Sequence, residues 1–291
     1  MTLPASSLKI WVMMLGSSSV SSGRISTRCS SSRRPHSPMA STSRIRAKKG
    51  SGLFCRDGPK GASHKLDLSP FQTRIGVFRD AAFQFYYPEN LEALGREGAK
   101  LIEVSPLRDA EVPELDALYI GGGFPEVHAA RLGENTEFTT SIRESVEAGM
   151  PVYAECAGLM YLARELIVDG ITHSMAGVLD LVVEQLPTPQ GHGYEVAVVD
   201  RDNQFFAAGT RLVGHEFHYS RLVNGSNGKD SVLRVERGTG IGDGRDGISS
   251  GRVFASYLHL HAGATPGWAD GFLSLAEQYA AERDGSTAAC G

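Results

Sequence analysis

Cysteine is scarce in this chain, and its spacing excludes more than its number does. Cys29, Cys55, Cys156 and Cys290 form no C-x-x-C pair. Neither a disulfide framework nor a cysteine zinc site is expected, and a reducing, cytoplasmic compartment fits. No apolar run reaches the roughly 18 residues of a membrane span, so no membrane partner is expected. No G-x-x-x-x-G-K-S/T run occurs, so the chain shows no P-loop. Acidic residues are missing from residues 1–56, which hold ten of the 29 Lys and Arg; the other 19 face all 33 acids. So acidic a body argues against a nucleic-acid partner.

What is present splits at about residue 70. Residues 1–70 are rich in Ser and Arg, poor in aliphatics and without a sustained period. They read as disordered or non-native. A transit-like segment, the remnant of a disrupted reading frame and a basic nucleic-acid-binding tail are the three alternatives.

Order begins near Arg74. Arg74–Phe78, Lys100–Val104 and Asp116–Ile120 have the composition of short strands. Asp80–Pro88 reads as an aromatic loop. Helices are expected over 89–99 and about 135–148. Strands alternating with helices argue for a mostly parallel α/β sheet. After the helix that follows Cys156 the pattern changes to strands joined by turns, over 175–184, 193–200, 211–223 and 231–236, and is antiparallel or mixed. Gly238–Gly251 reads as a glycine-rich loop, Arg252–His259 as another strand and Trp268–Arg283 as a closing helix. A loose tail is expected over 285–291.

One stretch organises this pattern: Gly149-Met-Pro-Val-Tyr-Ala-Glu-Cys-Ala-Gly-Leu-Met-Tyr-Leu-Ala163. Val152 and Tyr153 are strand formers, and Leu159, Met160, Leu162 and Ala163 follow helical spacing. Cys156 falls on the turn between, flanked by the small residues Ala154, Ala157 and Gly158. A strained strand-to-helix turn needs small neighbours. The helix N-terminus beyond Cys156 would stabilise a thiolate. On this stretch alone a nucleophile and a buried structural cysteine are both open.

In an open α/β sheet reactive groups gather at strand carboxyl ends. Gly121–Gly123, Cys156 and His259 all fall there. His259 is the candidate base for a Cys156 thiolate. The N–H of Gly122 or Gly123, with that of Ala157, is a candidate oxyanion hole, against the plain alternative of a tight turn. Glu216 would orient His259 if their strands are neighbours. His215 and His218 invite a metal reading, but a three-residue step on a strand puts them on opposite faces. His259 and His261 share a face without an evident further ligand, so no metal is expected. His128, His173 and His192 read as surface groups.

Five segments in order carry a resemblance: Phe83–Leu91, Asp116–Glu126, Val152–Gly158, Gly214–Ser220 and Ala255–His259. From about Arg74 to Leu275 the chain resembles the CobB/CobQ-type glutamine amidotransferase domain of cobyrinate (or hydrogenobyrinate) a,c-diamide synthases. The resemblance implies a class I glutamine amidotransferase-like, flavodoxin-like sheet with added antiparallel strands. It implies that Cys156 attacks the glutamine side-chain amide with His259 as base. Ordinary class I glutaminases carry a glutamate two residues beyond the histidine; His261 occupies that position here, so the third member is open. The nucleophile segment also departs from the frequent Gly-Glu-Cys-Gly-Gly, reading Ala-Glu-Cys-Ala-Gly, and alanine still suits a tight turn. Family members carry an N-terminal ATP-dependent ligase domain. The resemblance therefore implies ATP and Mg²⁺ for a complete enzyme, none in this chain, and a corrinoid acceptor bound by a synthetase domain that these 70 residues do not resemble. A truncated chain is the expectation, and a homodimer stays open. The alternatives are the glutaminase part of a Ni-sirohydrochlorin a,c-diamide synthase, a cysteine peptidase on the same turn, and a degenerate fragment that turns nothing over.

Overall fold

Strand β1 (Arg74–Phe78), β4 (Ala117–Ile120) and β6 (Val152–Glu155) are apolar on both faces, because each side of their sheet carries its own core. In the computed structural model, which describes residues 72–224 and 230–289, they form a parallel group with β3 (Lys100–Val104) and β15 (Val253–Ser256). The segment expected at 1–70 lies outside the described residues, as do Cys29, Cys55, Cys290, His36 and His64.

Alternation divides the strands between two cores. Leu118, Ile120, Val152 and Ala154 join Phe78, Phe138 and Leu159 on one face. Ala117, Tyr119 and Tyr153 join Leu94, Phe254, Trp268 and Phe272 on the other. Tyr153 anchors the second core: its ring stacks on Phe254 at 5.4 Å and meets Trp268 edge-on at 5.4 Å.

Helix α1 (Pro88–Arg96) and the closing helix α5 (Trp268–Ala289) cover the second face. Buried Asp116 ties α5 down: it takes the Arg74 N–H at 2.7 Å and Arg283 Nη1 at 3.0 Å. On the first face lie α2 (Ala129–Glu134), α3 (Thr136–Glu147) and α4 (Ala157–Leu162). The Asn135 side chain accepts the Phe138 N–H and so caps α3.

The sheet continues beyond β15 as antiparallel strands. β14 (Arg245–Ser250), β13 (Ser231–Arg237), β10 (Gly191–Val199), β11 (Arg211–His218) and β16 (His259–Leu260) follow in that order, making ten strands. A second sheet orders β12 (Ser220–Asn224), β9 (Leu179–Gln185), β7 (Ala163–Val168) and β8 (Ile171–Ser174). A two-strand ladder joins β2 (Phe83–Phe85) to β5 (Gly122–Gly123).

Five local expectations change. The aromatic loop contains β2. Helix α4 stops at Leu162, and Ala163 turns extended into β7, because Leu166, Ile167 and Val168 suit a strand and pair with β8 and β9. The glycine-rich loop contains β14, whose Asp246 and Ile248 are buried by pairing with β13 and β15. The strand expected over 252–259 is two, broken at Tyr257–Leu258, so His259 opens β16. Helix α5 runs on to Ala289, across most of the expected tail; the last two residues lie outside the described ones.

Candidate active site

Parallel pairing of β4, β6 and β15 sets three carboxyl ends side by side. From them issue Gly121–Gly123, Cys156 and the Tyr257–His259 crossing. At the centre Cys156 has φ 49 and ψ −96. A side chain held in that region costs on the order of 1–3 kcal/mol. The surroundings enforce it: the Cys156 N–H donates to Ser256 O at 2.7 Å, and Cys156 O receives the Met160 N–H at 3.0 Å. Gly158 completes the turn, since a Cβ there would lie 2.7 Å from Ile120 O.

The cysteine is 6% exposed. Its sulfur takes the backbone N–H of Ala157 and lies 3.9 Å from Phe217 O. Burial, reinforced by the nearby Glu126 charge, pushes the Cys156 thiol up to about 12 against the Ala157 hydrogen bond. The resting group is a thiol, at the N-cap of the six-residue α4. A thiolate therefore has to form together with proton transfer to a base. Glu126, on the 3-10 turn Pro125–His128, is itself raised by burial to about 7.

His259 is buried and held well below the usual imidazole range by desolvation, then by His215 and His218, so it is neutral near pH 7. His215 stacks on it at 4.6 Å, 11° from parallel, and shares a 2.6 Å hydrogen bond with the Tyr87 hydroxyl. Gly122 lies against the same ring: a Cβ there would come 2.4 Å from His259 Cε1. Gly123 packs on Ala82 O through the β2–β5 ladder. The Gly121 N–H is taken by the Tyr86 hydroxyl at 2.9 Å.

Glu216 does not orient His259. Its strand is indeed the neighbour, but the register pairs His215 with His259, so alternation turns Glu216 to the other face. There it accepts the Thr239 N–H at 2.6 Å, the Gly240 N–H at 2.8 Å and approaches His218 Nε2 at 3.4 Å. The carboxylate beside His259 is Glu155, with Oε2 4.0 Å from Nδ1. Sequence reasoning passed over it although it directly precedes Cys156; the available signal was an acid ending a strand otherwise buried throughout. His218 stacks instead on Tyr257 at 3.7 Å. His261 leaves the strand face and packs on Tyr87 at 4.7 Å. His192 is exposed, whereas His128 and His173 are half-buried. Among the described residues no group of three His, Cys, Asp or Glu is placed to hold a metal ion, and no helix is long and apolar enough to cross a membrane.

Chemically, a strained cysteine at the end of β6, with a backbone N–H at its sulfur and a neutral histidine on the chain leaving the neighbouring β15, suits acyl transfer. The comparisons with known proteins narrow this. The model of the CobB/CobQ-like glutamine amidotransferase domain matches residues 74–266. The cobyrinate a,c-diamide synthase of Methanothermobacter thermautotrophicus is 44% identical over 208 residues, 72% of this chain and 45% of that protein. The enzyme of the same name from Magnetococcus marinus is 41% identical over 218 residues, 75% of this chain and 47% of that one. The chain thus spans a little under half the length of these relatives. Among solved structures, PurLQS from Thermotoga maritima aligns with TM-score 0.52 and 17% identity, over 72% of this chain and 99% of that one. A putative GMP synthase component from Thermoplasma acidophilum aligns with TM-score 0.50 and 16% identity, over 75% and 98%. These two likenesses concern the fold alone. With the family model covering the chain from the first strand of the sheet to the start of the closing helix, across every element that meets at Cys156, this chain belongs to the CobB/CobQ-like glutamine amidotransferase family.

Proposed function

We propose that the chain hydrolyses glutamine and is the ammonia-releasing part of a cobyrinate a,c-diamide synthase of cobalamin biosynthesis, acting in the cytoplasm. The observation that carries the reading is the strained, buried Cys156 among the strand ends of His259 and Gly122–Gly123, within a domain of this family. His259 takes the thiol proton as sulfur attacks the glutamine amide carbon. The oxygen of the tetrahedral adduct is met by the Ala157 N–H, with Gly122 or Gly123 beside it. The imidazolium returns its proton to the departing nitrogen, and ammonia leaves a glutamyl thioester on Cys156. Water, deprotonated by His259, then releases glutamate and restores the thiol. The sequence contains no G-x-x-x-x-G-K-S/T run. ATP and Mg²⁺ are therefore assigned to a partner synthetase domain, which would present the a and c acetate carboxylates of the macrocycle to the ammonia.

The test is glutamate release from glutamine by the full chain, alone and with the ATP-binding domain of one of these relatives. Hydrolysis is expected for the native protein and none above background for Cys156→Ala, at unchanged melting temperature. Persistent hydrolysis in that variant, or cleavage of peptides in place of glutamine, overturns the reading.

A further inference from the structure

A carboxylate that ends a buried strand needs a reason, since removing its charge from water is costly unless it is paired. Glu155 is 1% exposed. Its Oε1 takes the Leu260 N–H at 3.1 Å, and its Oε2 takes the Tyr119 hydroxyl at 3.0 Å. The same Oε2 lies 4.0 Å from His259 Nδ1. A second tier fixes these partners. Asn90 donates to the Tyr119 hydroxyl at 3.1 Å and to Leu260 O at 2.8 Å, and accepts the Ala262 N–H at 2.8 Å. The carboxylate and the segment that follows His259 are therefore held by one buried network reaching from α1 to β16. His261, two residues beyond the base, is turned away to Tyr87 and Glu89.

We propose that Glu155 is the positioning residue for His259: it holds Nδ1 protonated, leaves Nε2 free to take the Cys156 proton, and balances the imidazolium that results. This rests on the glutaminase reading above for its substrate, but not for its geometry. The groups facing the pair are His215 and His218 toward His259, and Tyr86, Tyr87, Tyr119, Tyr153 and Cys156 toward Glu155. Burial lifts Glu155 to about 8 and depresses His259, so both rest uncharged near pH 7, and an imidazolium formed on His259 favours the ionised carboxylate beside it. A glutamine at this position keeps the Leu260 contact through its oxygen but turns its N–H₂ toward Nδ1. That favours the tautomer whose Nε2 already carries a proton.

The experiment compares native protein, Glu155→Gln, Glu155→Asp and Tyr119→Phe in two assays from pH 9 down to pH 3, or to the acid limit of the fold. These are glutamine hydrolysis and alkylation of Cys156 by iodoacetamide. For Glu155→Gln, kcat should fall by about 10- to 1000-fold with KM within about threefold. The acid limb of the alkylation profile should move to lower pH. Glu155→Asp and Tyr119→Phe should lie between, which keeps the test decisive where Glu155→Gln folds poorly. Alkylation limbs that coincide in all four proteins while glutamine is still hydrolysed overturn the role of Glu155. Lack of hydrolysis by the native protein with the limbs still shifted overturns the glutaminase reading alone.

Discussion

Gly122 shows how little room a residue at this site has. The missing Cβ is where the His259 ring lies, 2.4 Å from Cε1 and 3.3 Å from Nδ1. Its φ is not in the left-handed region, so the backbone accepts alanine and the cost falls on the imidazole. Gly122→Ala should lower glutamine hydrolysis by at least about tenfold, because a displacement near 1 Å is worth that much at a reacting centre. Its melting temperature should change little. Steady-state kinetics beside a thermal melt checks this; a stability loss with unchanged kcat would refute it. The triple glycine was legible in the sequence as a turn or a donor site. Its contact with His259 was not, since 137 positions separate the two and only the sheet brings them together.

Among the elements, the turn from β6 to α4 decides the site. Alanine in place of a helical glycine ordinarily gains about 1 kcal/mol. At Gly158 the new methyl would lie 2.7 Å from Ile120 O and 3.0 Å from Ala154 Cβ. Backbone of a central strand cannot yield as a flexible side chain does, and overpacking of this kind costs about 1–3 kcal/mol. The overpacking wins, and Gly158→Ala should melt lower than the native protein; a higher melting temperature contradicts it. Here sequence reading served well, because small residues around Cys156 report a local steric need. It failed a few residues later. Leu159 to Ala163 keep helical spacing, yet β7 begins at Ala163, since pairing with β8 and β9 outweighs local periodicity. β14 was hidden for the opposite reason: glycines masked a strand that its neighbours on both sides complete.

Across the whole molecule, buried acids make stability depend on pH. Glu195 on β10 is fully buried, lies against Asp246 and finds no donor for either oxygen among the described residues. Burial first, then the Asp246 and Glu216 charges, raises it far above the ordinary carboxyl range. The folded state therefore keeps a proton that the unfolded chain gives up above about pH 4.3. With fewer protons bound in the unfolded state, stability falls as pH rises through that window. Glu195→Gln has no proton to lose. Its melting temperature should exceed that of the native protein by a margin that grows from pH 5 to pH 9, reaching the equivalent of about 1–3 kcal/mol. Parallel melting curves across that range would sink the idea. Asp246 links this pair to the site, because it accepts the Tyr257 and Leu258 N–H groups that precede His259.

The sequence by itself determined the alternation of strands and helices up to Cys156, the turn on which that cysteine stands, and the glycines that follow β4. Those features follow from steric size and hydrophobic period, which neighbouring residues record. The tertiary structure alone decided which carboxylate meets His259. Strand alternation gave Glu216 only a parity, and the pairing of His215 with His259 then turned that side chain away. Glu155 reaches the imidazole because the parallel pairing of β6 with β15 matches residues about a hundred positions apart. No local pattern carries that register.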